Sequence, residues 1–400
     1  MAKELSFADH SLTKGGNNWG FKCKKKIFEE CSRMYNEVYK SRQDNLKKYL
    51  EQENIDVAII MNSVNIYYFT GFNSNPHERF FALIVDNRKD HVSLFVPALD
   101  LNAAEEHAFV ESIVTVSETE DPYTKLRNML GNVSTFGIEK GYVNVHRYEQ
   151  ITKHFIGAKF KDIEEFITSQ RLYKSTDEIS IVRRAVEIIE NVMKRGIRKV
   201  APGMTELELR AEMEYQMMVL GAAGPAFETT VLSGENSALP HGHSGNRKIQ
   251  NGDFLLIDMG VSVDGYCSDI TRTFIVGEGS DKQKNMYETV LEANEKAIDS
   301  VKIGEPFMNI DRSARRHIKA CGYGEYFNHR IGHGLGLDIH EPPSIHEENR
   351  QELAPGMLFT IEPGIYIPGI GGVRIEDNVY VHKDGKVEVL TSYPKELTYV

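Results

Sequence analysis

Five residues in the last third of the chain, Asp258, Asp269, His333, Glu362 and Glu376, restrict what it can fold into more than any other feature. Asp258 ends the run Phe254-Leu255-Leu256-Ile257, Glu362 ends Leu358-Phe359-Thr360-Ile361, and Glu376 follows Val373-Arg374-Ile375, all of which read as buried strands. A carboxylate buried without a partner protonates rather than stay charged, so a fold that buries several must bring positive charge to the same place. Arg374 alone is too little. A pair of divalent cations would supply the charge, and a donor set of carboxylate oxygens with one imidazole suits manganese, cobalt or zinc better than a thiolate-seeking ion.

The chain around these residues, 400 long, exceeds a typical single domain, and two domains are expected. No apolar run is long enough to cross a bilayer, and Met1-Ala2-Lys3-Glu4-Leu5 lacks the charged and apolar regions of a signal peptide, so a cytoplasmic enzyme without membrane contact is expected. Cys23, Cys31, Cys267 and Cys321 are scattered with no CxxC pair, which supports neither a disulfide scaffold nor a zinc ribbon. A formal charge of -11 disfavours a nucleic-acid binder, and the basic cluster Lys22-Cys23-Lys24-Lys25-Lys26 reads as a solvated helix face.

Residues 1–41 are polar and read as an extension, partly disordered or an artefact of expression. From there a polar helix over Gln43 to Gln52 precedes apolar runs at Val57–Met61, Phe80–Val85 and Val92–Val96, then others around Val110–Val116 and Thr135–Ile138, which predict a mixed α/β domain over 42–170. It has no phosphate-binding Gly-rich loop. A second domain, 171–400, opens with Ser175 and Glu178 as a capping box, and Thr205 with Glu208 caps the next helix. Helices near Lys282–Val301 and through Ile310, Ala314 and Ile318 repeat that order, predicting two related halves, each with two helices and then antiparallel strands, in an α+β architecture.

Asp258 and Asp269 flank the turn-like Val263-Asp264-Gly265-Tyr266, which can place them on adjacent strands of a hairpin close enough to share an ion; the alternative makes Asp269 a loop residue. Glu362 and Glu376 repeat the arrangement around Pro363-Gly364 and Pro368-Gly369-Ile370-Gly371-Gly372. Between the two pairs, His329, His333 and His340 lie in a stretch whose glycines permit close backbone approach. His329 reads equally well as a core residue satisfied by hydrogen bonds, and His241 and His243 as surface loop residues.

These residues, with Tyr68-Phe69-Thr70-Gly71-Phe72, Ser237-Ala238-Leu239-Pro240-His241, Gly322-Tyr323-Gly324-Glu325-Tyr326-Phe327, Ile361-Glu362-Pro363-Gly364-Ile365-Tyr366-Ile367-Pro368-Gly369 and Gly372-Val373-Arg374-Ile375-Glu376-Asp377, resemble the pita-bread-fold metallopeptidases, which include methionyl aminopeptidases, Xaa-Pro aminopeptidases and prolidases. Bacterial Xaa-Pro dipeptidases are the most similar branch, and the short interval between Glu362 and Glu376 fits them. The resemblance spans residues 42–400 and implies a pita-bread domain of pseudo-twofold halves behind a smaller α/β N-terminal domain, working as a homodimer. It also implies that Asp258 holds one metal, His333 and Glu362 the other, and that Asp269 and Glu376 bridge both. Two such ions polarise a carbonyl and generate a bridging hydroxide near neutral pH, the nucleophile for peptide hydrolysis. By the same resemblance Glu362 carries the proton to the leaving nitrogen, His340 stabilises the oxyanion and His241 lies on the leaving-group side. Arg374 would bind the substrate's C-terminal carboxylate, its alternative being an ion pair with Glu376 or another acid, and His329 would also face substrate.

The implied activity is manganese-dependent, or cobalt- or zinc-dependent, hydrolysis of Xaa-Pro dipeptides with release of proline. An Xaa-Pro aminopeptidase acting on longer peptides is the rival within the class. A non-catalytic binding protein of the same fold and a metal-free creatinase-like hydrolase fit less well, because all five ligand positions are filled.

Overall fold

The structure, a computed structural model, describes residues 37–400. Of the expected extension, positions 1–36 lie outside the described residues, together with Trp19, Cys23, Cys31 and the basic cluster, whereas residues 37–41 belong to helix α1, residues 37–52. The chain divides between Asp162 and Ile163 into two compact units.

The first unit is built on a six-stranded sheet of β1 (Val57–Ile60), β2 (Ala82–Asp86), β3 (His91–Pro97), β4 (Ser112–Val116), β5 (Thr135–Ile138) and β6 (Lys159–Asp162), in the order β4-β3-β2-β1-β5-β6. β1, β2 and β3 pair antiparallel, while β4, β5 and β6 join in parallel. The continuous apolar runs of β1 and β2 are wholly buried, as strands covered on both faces must be. β6, Lys-Phe-Lys-Asp, is a polar edge strand whose charges discourage further pairing, and it carries no apolar run to betray it. Helices α2 (Ser63–Thr70), α3 (Leu101–His107), α4 (Pro122–Leu130) and α5 (Val145–His154) alternate with the strands.

The second unit begins with α6 (Glu164–Leu172), followed by α7 (Thr176–Ile197) and α8 (Glu206–Val219). Both expected capping boxes are present, and a third, Ser280 with Gln283, starts α9 (Asp281–Asp299). After α8 come β7 (Gly224–Pro225), β8 (Thr230–Ser233), β9 (Phe254–Met259), β10 (Val261–Val263), β11 (Tyr266–Cys267) and β12 (Ile270–Ile275). After α9 and α10 (Met308–Ala320) come β13 (Gly332–Gly334), β14 (Glu341–Ile345), β15 (Leu358–Ile361), β16 (Gly364–Ile367), β17 (Gly371–Arg374), β18 (Asp377–Val381) and β19 (Val387–Val389).

The order of two helices and then strands thus occurs twice, and each half has its own core. Ile189 of α7 and Met213 of α8 pack with Leu255, Ile257 and Phe274 of the sheet β12-β9-β8. Val290 of α9 and Ile310 of α10 pack with Phe359 and Val379 of the sheet β14-β13-β15-β18-β19. The ends of these two sheets carry Asp258, Asp269, His333, Glu362 and Glu376.

Candidate active site

Asp258 stands opposite Thr271 in the antiparallel pair of β9 and β12. Asp264 and Gly265, both with positive φ (46° and 79°), form the two-residue turn between β10 and β11, by which the chain returns from β9 to β12. Asp269 lies two residues before Thr271 and so on the same face as Asp258, a diagonal neighbour rather than a directly opposed one. The second pair is arranged differently. The β15–β18 ladder ends at Ile361 opposite Asp377, which makes Glu362 and Glu376 the next pair outward, and the chain between them forms a separate hairpin of β16 and β17. Their amides turn to other strands, Glu362 to the Ile331 carbonyl at 2.7 Å and Glu376 to the Thr271 carbonyl at 3.1 Å.

His333 sits in β13 opposite Ser344 of β14. Its flanking glycines are required by close approach: a Cβ on Gly332 would lie 2.0 Å from the Thr360 carbonyl oxygen, and one on Gly334 2.1 Å from that of Pro342. The imidazole Nδ1 is 3.1 Å from the Gly334 carbonyl, an acceptor only, so this nitrogen carries the proton and Nε2 presents its lone pair. Nε2 faces Asp269 at 3.6 Å and Glu362 at 3.4 Å. Burial, reinforced by His340, pushes the ring's pKa down to about 3, so it is neutral at pH 7.

All five residues open onto one cavity of about 280 Å³, lined also by His241, His329, Arg330, His340, Tyr366 and Arg374. Asp269, His333 and Glu376 each bring a potential ligand atom within 4.8 Å of the others. Asp258 Oδ1, Asp269 Oδ1 and Glu376 Oε1 are buried oxygens without a hydrogen-bond donor, although Glu376 Oε2 accepts from Thr271 Oγ1 at 2.6 Å. Burial raises the pKa of the Asp269 and Glu376 carboxyls well above the ordinary range and carries Glu362 up to about 7, in each case with neighbouring carboxylates adding to the rise. Undonated oxygens converging with an imidazole lone pair form an acceptor-only set. Divalent cations satisfy such a set, and these donors fit the ions expected from the sequence.

The outer residues fall into distinct environments. His340 is exposed at the cavity and meets His333 edge to face, ring centroids 4.2 Å apart. His241 is an exposed residue at the rim, and His243 lies outside the lining, 3.3 Å from Glu228. Arg374 is buried with every guanidinium nitrogen engaged: Nη2 pairs with Asp258, Nη1 donates to Tyr366 Oη at 2.9 Å and Nε to Thr271 Oγ1 at 3.2 Å. The ion-pair arrangement foreseen as the alternative for Arg374 is therefore the one present, with Asp258 rather than Glu376 as partner. From Tyr366 the chain of hydrogen bonds continues to His329 Nε2 at 3.0 Å, and His329 Nδ1 donates to the Arg330 carbonyl at 2.7 Å. Both ring nitrogens of His329 are thus satisfied within the protein, and burial pushes its pKa down to about 4, with Arg374 adding to the fall.

Thr271, Tyr366 and Arg330 were not singled out from the sequence. For Thr271 the available signal was a hydroxyl two residues beyond Asp269, which puts it on the same face of an extended chain; for Arg330 it was a cation between His329 and His333.

Comparison with known proteins places this geometry in a family. The profile of metallopeptidase family M24 matches residues 180–383, and that of the creatinase/prolidase N-terminal domain matches 42–173. The chain is 38% identical to a prolidase from Pyrococcus furiosus, with a TM-score of 0.79 over 86% of this chain and 99% of that one. It is 34% identical to an Xaa-Pro dipeptidase from Bacillus anthracis, with a TM-score of 0.84 over 90% and 100%. With an X-Pro aminopeptidase from Thermotoga maritima it shares 34% identity and a TM-score of 0.79 over 87% and 98%. The doubled helix–helix–strand order of the second unit is the pita-bread fold, behind a creatinase-type N-terminal domain. The chain belongs to metallopeptidase family M24 and is a metallopeptidase enzyme of that family, working with divalent metal ions.

Proposed function

We propose that the protein is an Xaa-Pro dipeptidase that uses two divalent cations, manganese first and cobalt or zinc as alternatives, to hydrolyse Xaa-Pro dipeptides and release proline. The observation that carries the reading is the convergence of undonated carboxylate oxygens and the His333 lone pair on one cavity of about 280 Å³. The relatives named prolidase and Xaa-Pro dipeptidase supply the substrate class.

In this reading Asp258 would hold one cation, His333 and Glu362 the other, and Asp269 and Glu376 would serve both. When bound, the cations polarise the scissile carbonyl and acidify the attacking water. Thr271 keeps one Glu376 oxygen turned away, which leaves the other to face the cavity. The Gly334 carbonyl holds His333 in the tautomer a ligand needs. Glu362, the more accessible of the carboxylates beside His333, accepts the water's proton and passes it to the leaving nitrogen. His340 donates a hydrogen bond to the developing oxyanion from its place against His333, and His241 borders the leaving group at the rim.

The second reading, an Xaa-Pro aminopeptidase, is favoured by the likeness to the Thermotoga maritima enzyme. Assay of Ala-Pro against Ala-Pro-Ala with manganese, cobalt and zinc in turn decides between them. Preference for Ala-Pro is expected; a clear preference for Ala-Pro-Ala refutes the dipeptidase reading in favour of the aminopeptidase, and failure to cleave either with any metal refutes both.

A further inference from the structure

Two arginines line the cavity, and the structure treats them differently. Arg374 is committed to Asp258, Tyr366 and Thr271 through all of its nitrogens. Arg330 has one side-chain hydrogen bond among the described residues, from Nη1 to Ser344 Oγ at 3.1 Å, and forms no ion pair with any of their carboxylates. It is only partly buried and keeps the rest of its donor fork available at the cavity.

We propose that Arg330, and not Arg374, recognises the substrate's C-terminal carboxylate, and so sets the preference for a dipeptide whose carboxylate stands one residue beyond the scissile bond. This rests on the dipeptidase reading above and names the residue that would enforce it. A guanidinium is suited to the task because its planar fork matches a carboxylate with two parallel hydrogen bonds.

Arg330 is also held in advance of binding. His329 Nδ1 donates to its carbonyl, and that ring is fixed in turn by Tyr366 and Arg374. The preceding backbone is clamped by Arg315, whose Nη2 donates to the His329 carbonyl at 2.9 Å and Nη1 to that of Phe327 at 3.1 Å. Ser344, opposite His333 across the β13–β14 pair, then aims one edge of the guanidinium. A donor fixed in this way loses little freedom when the ligand arrives. His329 and Tyr366 become positioning residues for Arg330, which accounts for the complete internal satisfaction of a histidine that lines the cavity.

The test compares Ala-Pro with its C-terminal amide, Ala-Pro-NH2, on the metal-loaded full chain as wild type, Arg330→Met and Arg330→Lys. Wild type is expected to favour Ala-Pro. Arg330→Met is expected to raise the KM for Ala-Pro about 10- to 100-fold with kcat little changed, the loss typical of one charge-assisted interaction made equally in ground and transition states, and to leave kcat/KM for the amide unchanged. Arg330→Lys, which keeps the charge without the fork, falls between, and it carries the same comparison if the methionine variant does not fold. Equal losses on acid and amide, or no loss on either, in an enzyme that cleaves Ala-Pro overturn the assignment and leave the dipeptidase reading standing. A wild type that cleaves no Xaa-Pro dipeptide overturns both.

Discussion

Glu341 follows His340 directly and anchors the segment that carries it, so its removal tests how the site is held. One carboxylate oxygen accepts from Arg171 and from the Asp338 amide at 3.0 Å; the other accepts from Lys174 Nζ at 2.9 Å. Burial alone would raise this carboxyl, but Lys174 and Arg171 outweigh it and hold the pKa down at about 2. The unfolded chain titrates near the usual glutamate value of about 4.3, so the difference corresponds to about 3 kcal/mol of stability at neutral pH. Because the folded-state pKa is the lower one, that stability is fully present above about pH 4.3 and is lost as the pH falls through about 2. Glu341→Gln keeps the shape, removes the charge and leaves Lys174 buried without its counterion. It should cost about 3 kcal/mol at pH 7 in the urea transition followed by circular dichroism, and the gap to wild type should shrink to roughly half at pH 3. A gap below about 0.5 kcal/mol at pH 7, or one that does not change between pH 7 and pH 3, refutes the reasoning.

Four other perturbations test the site. Glu362→Ala and His333→Ala should each abolish Ala-Pro turnover while the circular dichroism spectrum stays that of wild type; near-normal turnover by either removes its assigned role. Chelation should remove activity and also lower the melting temperature, with manganese restoring both, because cations that bind only the folded state stabilise it and relieve the crowded carboxylates. A melting temperature indifferent to metal contradicts the reading of the undonated oxygens. Arg374→Ala should lower stability by about 3–5 kcal/mol, since it strands Asp258 and Tyr366 in a buried setting, and a variant as stable as wild type contradicts the structural role.

Much of the fold is legible in the sequence because the signals are local. The runs at Val57–Ile60 and Phe254 to Ile257 are apolar without interruption, and Ser175 with Glu178 states where α7 begins. β6 escaped notice because an exposed edge strand needs no apolar run, and α1 begins ahead of its expected start because a polar helix carries little periodic signal at its ends. Within the site, carboxylates set in apolar strands announce a burial problem by composition alone. What they face cannot be read in the same way. Arg374 lies two residues from Glu376, yet its ion-pair partner is Asp258, 116 residues away in sequence.

The sequence by itself determined that several acids and one histidine would be buried together, that positive charge must join them, and that two helix–helix–strand halves would carry them, since each follows from local composition and period. Only the tertiary structure decided which acids meet on which face, that Glu362 and Glu376 are separated by a hairpin of their own, and which arginine is left to meet a ligand. Those choices depend on register across strands remote in sequence, where a side chain's partner is set by the packing of two sheets and not by its neighbours along the chain.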